Sequence, residues 1–120
     1  MITIVYVDDD KCICDEVKEA LSYLSCDAIV FEDSLECWEF LKSLNGKIDV
    51  LIADLMMPEL DGAELIQRCL ASFGDSITYV LISGRMEFGD RTERILPNLD
   101  MMMTKPIKAV EFAKIVEAAS

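Results

Sequence analysis

The chain has 120 residues, of which 52% are apolar and 28% are charged, and its formal net charge is −12. This size and composition predict one globular domain over residues 1–120 and exclude a disordered or fibrous chain. The apolar runs are too short to cross a membrane and the N-terminus lacks signal-peptide features, so we expect a cytoplasmic protein without membrane insertion. The negative charge disfavours direct nucleic acid binding and favours a protein or a cation as partner.

The cysteines are odd in number and irregularly spaced, at Cys12, Cys14, Cys26, Cys37 and Cys69. The chain has no histidine, so these residues supply too few ligands for a structural zinc site. We expect most of them to be reduced and buried as small hydrophobic side chains.

The first half of the chain alternates apolar runs with stretches of helical spacing. Residues 2–7 and 28–31 are short, β-branched apolar runs that predict buried strands. From Lys11 onward, apolar residues recur every three or four positions, which predicts a helix. A second helix begins at Asp33 with a capping-box pattern and ends before Asn45-Gly46. The residues that its spacing places in the core are Leu35, Trp38, Leu41 and Leu44.

The second half continues the alternation. Residues 50–53, 79–82 and 101–103 predict three more strands, and helical spacing follows Gly62 and again ends the chain. Residues 85–98 are polar and only loosely periodic, and we interpret them as a fourth helix. Five strands alternating with five helices predict an α/β fold, a doubly wound parallel sheet with helices on both faces.

Polar residues follow four of the predicted strands, as Asp8-Asp9-Asp10, Asp54, Ser83-Gly84 and Lys105-Pro106. In doubly wound sheets the ligand site lies at the carboxyl ends of the strands, so we expect these residues to converge. Crowded carboxylates suit a hard cation such as Mg²⁺. A lysine and a hydroxyl beside that cation suit a transferring phosphoryl group, with a carboxylate as nucleophile.

Each residue alone has an ordinary explanation, since acidic triplets cap helices, serine-glycine pairs form turns and lysines are mostly surface charges. Their joint placement at neighbouring strand ends favours one functional site. The clusters Met56-Met57 and Met101-Met102-Met103 are most simply interpreted as core residues.

Together, Val7-Asp8-Asp9, Asp54-Leu55-Met56-Met57-Pro58 with Asp61-Gly62, Ser83-Gly84 and Lys105-Pro106 closely resemble the response-regulator receiver domain of two-component signalling. The resemblance covers essentially the whole chain. It implies the flavodoxin-like strand order 2-1-3-4-5 of the chemotaxis regulators. It also implies a cis peptide bond between Lys105 and Pro106.

The resemblance further implies the roles of the site residues. Asp54 would accept the phosphoryl group, and Lys105 and Ser83 would contact the phosphoryl oxygens. Mg²⁺, with Mn²⁺ as an alternative, would be bound by Asp9, Asp54 and the backbone carbonyl of Met56, with Asp8 acting through water. The chain would then be a signalling phosphoacceptor that catalyses only its own phosphorylation and dephosphorylation, not an enzyme.

The implied partners are a histidine kinase or histidine phosphotransfer protein as donor, and a downstream protein target or a fused output or sensor domain. Whether the chain acts alone or within a larger protein stays open. One alternative is a docking module that works without phosphorylation, which the intact acceptor residues disfavour. Another is a Mg²⁺-dependent phosphohydrolase, which needs a second acid where this chain has Met56.

The chain departs from the family pattern at three places. Met102 stands where the family usually has an aromatic switch residue, and Asn98-Leu99 replaces the usual glycine-alanine pair. Met56 and Arg85 flank the route by which water reaches the phosphoryl group. An apolar side chain at Met56 should hinder hydrolytic water and prolong the phosphorylated state.

Overall fold

A five-stranded parallel sheet in the order β2-β1-β3-β4-β5 forms the centre of the molecule. This computed structural model describes residues 1–84 and 96–120. The strands are β1 (Ile2–Val7), β2 (Cys26–Phe31), β3 (Val50–Asp54), β4 (Thr78–Ser83) and β5 (Met101–Thr104). The helices are α1 (Lys11–Ser22), α2 (Ser34–Ser43), α3 (Gly62–Phe73) and α4 (Ala109–Ala119), with a 3-10 turn at Leu96–Asn98. The predicted strand order 2-1-3-4-5 is confirmed.

Helices cover both faces of the sheet, as the alternating pattern predicts. Helices α1 and α4 pack on one face, where residues such as Tyr6, Val17 and Phe112 form a buried cluster. Helices α2 and α3 pack on the other face around residues such as Leu41 and Ile66. The fourth predicted helix, over residues 85–98, falls mainly on residues outside the described part of the chain.

Aspartates begin three of the helices. The carboxylates of Asp10, Asp33 and Asp61 accept backbone N–H groups from the first turns of α1, α2 and α3. Such a cap typically contributes about 1 kcal/mol of stability. The second helix ends where the sequence predicts, since Asn45 and Gly46 both have left-handed backbone angles, with φ of 53° and 68°.

The predicted core of α2 is wrong at Leu35, which is 41% exposed. Asp33 caps the helix so that its buried face runs through Ser34, Cys37 and Leu41, and Leu35 is turned toward solvent.

The expectation for the cysteines is confirmed, since all five are free thiols and Cys14, Cys37 and Cys69 are buried. None of the helices in residues 1–84 and 96–120 has the length and apolarity needed to span a bilayer.

Gly62, the first residue of α3, packs directly against the end of β3. A Cβ atom there would collide with the backbone carbonyl of Asp54 and crowd Leu81. We therefore expect Gly62→Ala to lower the free energy of unfolding by roughly 1–3 kcal/mol, as overpacking does. Urea denaturation measures this. The control is Gly84→Ala, because a Cβ at Gly84 meets open space. Equal stability of both variants would contradict the close packing.

Candidate functional site

Strand register brings the predicted site residues together at the carboxyl edge of the sheet. Val7 of β1 pairs with Ala53 of β3. The residues that follow them, Asp8 and Asp54, therefore lie side by side. Asp8, Asp54 and Lys105 each come two positions after a residue of the α1/α4 core, namely Tyr6, Ile52 and Met103. Alternate residues share a face of a sheet, so the three side chains extend to the same side.

These strand ends surround a cavity open to solvent. Its lining residues are Asp9, Asp10, Asp54, Leu55, Met56, Ser83, Gly84 and Lys105. Asp8 and Asp54 are almost fully buried, whereas Asp9 is exposed at the rim. The predicted convergence of the four strand ends is therefore present in the structure.

The central contact of the site is a lysine shared by two buried carboxylates. Lys105 Nζ lies 2.8 Å from Asp8 Oδ2 and 2.8 Å from Asp54 Oδ2. The exposed fractions of the two carboxylate side chains are only 0% and 4%, so water contributes little to their solvation. Burial of a charge is tolerated only with such a partner, because an unpaired charge in the interior is strongly unfavourable.

Burial and crowding alter the acidity of these groups. Burial raises the pKa of Asp54 from 3.8 to about 6, the charge of Asp8 adds to the increase, and Lys105 opposes it. Burial alone would lower the pKa of Lys105, but its bonds to Asp54 and Asp8 raise that pKa above its usual value. At neutral pH the site thus contains a protonated lysine and a largely ionised Asp54.

Asp8 makes further hydrogen bonds within the protein, including one from its backbone N–H to the Phe31 carbonyl at 3.1 Å. Tyr6 donates its hydroxyl to Asp8 Oδ2 at 3.1 Å, and the Asp10 N–H donates to Asp8 Oδ1 at 3.0 Å. The Cys14 thiol donates to the backbone carbonyl of Asp8 at 3.1 Å. Sequence reasoning missed Tyr6 and Cys14 as site residues, because both occur in apolar patterns that predict core packing. The signal for Tyr6 was its position two residues before Asp8 on the same strand.

The donor set fits a hard divalent cation. One carboxylate oxygen from each of Asp8, Asp9 and Asp54 lies within 4.8 Å of the others. Three carboxylates outnumber the single ammonium of Lys105, so negative charge remains to be neutralised. Oxygen ligands of this kind are preferred by Mg²⁺ and Mn²⁺.

The remaining predicted residues border the cavity. The Met56 N–H donates a long hydrogen bond of 3.4 Å to Asp54 Oδ1, which places its backbone beside the carboxylate. The Met56 side chain is 73% exposed, so its assignment to the core is wrong; it lies in the loop after β3, where no periodic pattern applies. Ser83 is buried at the end of β4, and its carbonyl accepts the Lys105 N–H at 2.9 Å. The Lys105–Pro106 peptide bond is cis, as the resemblance implies.

Removal of the Asp54 charge should stabilise the metal-free protein. The folded state raises the pKa of Asp54, so it binds this proton more tightly than the unfolded state and ionisation opposes folding at neutral pH. We expect Asp54→Asn to increase the free energy of unfolding by roughly 1–3 kcal/mol near pH 7. The gain should decrease as pH falls from about 6 toward 3.8, where Asp54 becomes protonated.

Urea denaturation without and with Mg²⁺ measures this difference. The control is Asp27→Asn on the edge strand β2, an exposed carboxylate whose loss should change stability by less than about 0.5 kcal/mol. Mg²⁺ should reduce the gain of Asp54→Asn, since the cation stabilises only the carboxylate form. An Asp54→Asn variant that is less stable than the wild type without Mg²⁺ would contradict the conclusion that the buried charge of Asp54 opposes folding.

Comparison with known proteins identifies relatives of one kind. Residues 4–117 match the family model of the response regulator receiver domain. The chain is 26% identical over 110 residues to the response regulator MprA of Mycobacterium sp. strain KMS, covering 92% of this chain and 46% of that protein. Its identity to MprA of Mycobacterium ulcerans is 28% over the same share of both chains. The chain thus spans about half the length of these curated relatives.

Solved structures agree in fold. The receiver domain of Francisella response regulator 1452 superposes with a TM-score of 0.83 at 26% identity, covering 99% of this chain and 96% of that one. A response regulator receiver domain protein from Clostridium thermocellum superposes with a TM-score of 0.88 at 18% identity, covering 99% and 94%. These similarities in fold extend over nearly the whole chain.

Proposed function

This chain belongs to the response regulator receiver domain family of two-component signalling, and from that premise we propose that Asp54 accepts a phosphoryl group from a phosphohistidine donor. Receiver domains are signalling domains and not conventional enzymes. The observation that carries the proposal is the shared contact of Lys105 with Asp8 and Asp54 beside a third carboxylate, Asp9. This arrangement joins a buried nucleophile, a fixed cation and a set of oxygen ligands.

The transfer itself would need little from the protein beyond positioning and charge. A carboxylate oxygen of Asp54 attacks phosphorus, and the phosphorus–nitrogen bond of the donor breaks with its electron pair moving to the imidazole nitrogen. The products are an aspartyl phosphate and a free histidine. Asp54 must be ionised to attack, and with a pKa of about 6 it is largely so at neutral pH.

The surrounding residues would neutralise the incoming charge. Proteins of this family generally bind Mg²⁺ in an acidic pocket, and the cluster of Asp8, Asp9 and Asp54 supports the proposal that this chain does so too. Bound Mg²⁺, or Mn²⁺, supplies positive charge where the phosphoryl oxygens lie. Lys105 supplies a second positive charge from the protein. The backbone carbonyl of Met56 completes the proposed ligand set.

Ser83 is proposed to report the phosphorylated state. It lies buried at the end of β4, on the edge of the cavity that contains Asp54. Phosphorylation adds a charge of about −1.5 to −2 and strong acceptor oxygens at Asp54. A hydroxyl at this position can donate to such an oxygen and draw the end of β4 inward.

A histidine kinase or phosphotransfer protein would be the phosphoryl donor. A downstream protein or a fused output or sensor domain would receive the signal.

The proposal is tested by mass spectrometry of the intact protein after incubation with acetyl phosphate. We expect the wild type to gain one phosphoryl mass only with Mg²⁺, because the oxygens of the site repel a phosphoryl group without it. Asp54→Asn should gain none, whereas Asp27→Asn, which alters an exposed carboxylate on β2, should behave as the wild type.

Absence of the adduct with acetyl phosphate and with a phosphohistidine donor, in a protein that is folded, would contradict the proposal. It would favour a docking module that works without phosphorylation.

The exposed thioether of Met56 should also govern the lifetime of the phosphorylated state. It borders the cavity and has no group to orient an attacking water, whereas an asparagine amide does. We expect Met56→Asn to shorten the half-life of the phosphorylated protein several-fold, as followed by loss of the phosphoryl mass. Met56→Leu retains an apolar side chain of similar size and should keep the wild-type half-life. An unchanged half-life in Met56→Asn would exclude this role.

A further inference from the structure

The hydroxyl of Tyr6 contacts the phosphoacceptor site from the protein interior. Tyr6 is 1% exposed, and its ring packs edge-on against Phe112 with 6.3 Å between the ring centroids. Its hydroxyl donates to Asp8 Oδ2 at 3.1 Å. Tyr6 lines a groove between α1 and α4 and not the cavity in front of Asp54, while Lys105 borders both. Tyr6 therefore approaches Asp8 from behind the site.

Two donors of different kinds share one oxygen of Asp8. Asp8 Oδ2 accepts the neutral hydroxyl of Tyr6 and the charged ammonium of Lys105, which lies 2.8 Å away. The ammonium is also 2.8 Å from Asp54 Oδ2, so it divides its charge between two carboxylates. The Tyr6 ring is held in the core. Among the described residues, its hydroxyl forms a hydrogen bond with Asp8 alone.

Phosphorylation of Asp54 would add oxygens that compete with Asp8 for the ammonium of Lys105. A phosphoryl group on Asp54 adds negative charge and three acceptor oxygens, which attract the ammonium. Any movement of Lys105 toward that group weakens its bond to Asp8. Asp8 has 0% exposure, so bulk water does not replace the lost donor, and beside the proposed cation its Oδ2 keeps the Tyr6 hydroxyl as a donor. A buried carboxylate oxygen left without a donor is strongly unfavourable.

We propose that Tyr6 is a positioning residue whose hydroxyl holds Asp8 Oδ2 and so allows Lys105 to turn from Asp8 to the phosphoryl group on Asp54. This inference rests on the proposed function. Other contacts fix the rest of Asp8, since the Asp10 N–H binds its second oxygen and the Cys14 thiol binds its backbone carbonyl. Tyr6 is thus the neutral partner of the oxygen that Lys105 leaves.

Without this hydroxyl, Lys105 becomes the principal donor to Asp8 Oδ2, and the phosphoryl group must compete with Asp8 for it. Tyr6→Phe removes one oxygen atom and preserves the ring. Tyr79→Phe is a matched control, because Tyr79 is equally buried and its hydroxyl donates to the Gly74 carbonyl at 2.8 Å. Tyr79 packs in the α2/α3 core on the other face of the sheet.

The rate of phosphorylation by acetyl phosphate at saturating Mg²⁺ is measured for the wild type and both variants, after urea denaturation has shown that each is folded. We expect Tyr6→Phe to react about tenfold more slowly, as loss of one hydrogen bond to a charged group allows. Tyr79→Phe should remain within about twofold of the wild type, since its effect is confined to stability.

A Tyr6→Phe rate equal to that of the wild type overturns the inference while the proposed function stands. Equal slowing in Tyr79→Phe also overturns it, since both effects would then reflect a loosened core. A wild type that is never phosphorylated refutes the proposed function and this inference with it.

The wild type provides a second measurement that does not require the variant to fold. The ¹³C resonance of the Tyr6 ring carbon that bears the hydroxyl should shift when Mg²⁺ and acetyl phosphate are added, while that of Tyr79 stays in place. A Tyr6 resonance that does not move in phosphorylated protein contradicts the role of its hydroxyl.

Discussion

The ammonium of Lys105, held between the buried carboxylates of Asp8 and Asp54, is the interaction on which the site depends. Adjacent strands β1 and β3 place the two carboxylates side by side, and neither is accessible enough for water to solvate it. Without a bound metal, a cationic side chain of the protein must therefore reach them. Lys105 does so because its strand, β5, ends at the same edge of the sheet, with its N–H bonded to the Ser83 carbonyl.

One lysine does not neutralise the negative charge of this site. Three carboxylates lie around one ammonium, and the pKa of Asp54 is raised to about 6, mainly by burial and further by the charge of Asp8. The site without a cation is therefore less stable, which agrees with the proposed binding of a divalent cation and, with it, a phosphoryl group. Tyr6 limits the strain by giving Asp8 a neutral donor from the core.

The sequence predicts the sheet and the convergence of residues at its carboxyl edge, because short apolar runs indicate the strands and polar residues mark where they end. Prediction from the sequence fails where a pattern fits more than one arrangement and only the packing of the folded chain decides between them. Leu35 fits the helical spacing of α2, but the cap at Asp33 turns Cys37 inward instead. Met56 lies in a loop without periodicity, and Tyr6 looks like an ordinary core residue until its hydroxyl is placed beside Asp8. Such contacts depend on distances in three dimensions that a pattern does not contain.

The most direct test of this account is an NMR titration of the Asp54 side-chain carboxyl carbon in metal-free protein. A pKa near 6, falling when Mg²⁺ is added, is the expected result, because burial beside Asp8 disfavours the charged form and a cation restores it. A pKa near 3.8 in the absence of metal would contradict the account, since Lys105 would then neutralise both carboxylates fully and no deficit of positive charge would remain.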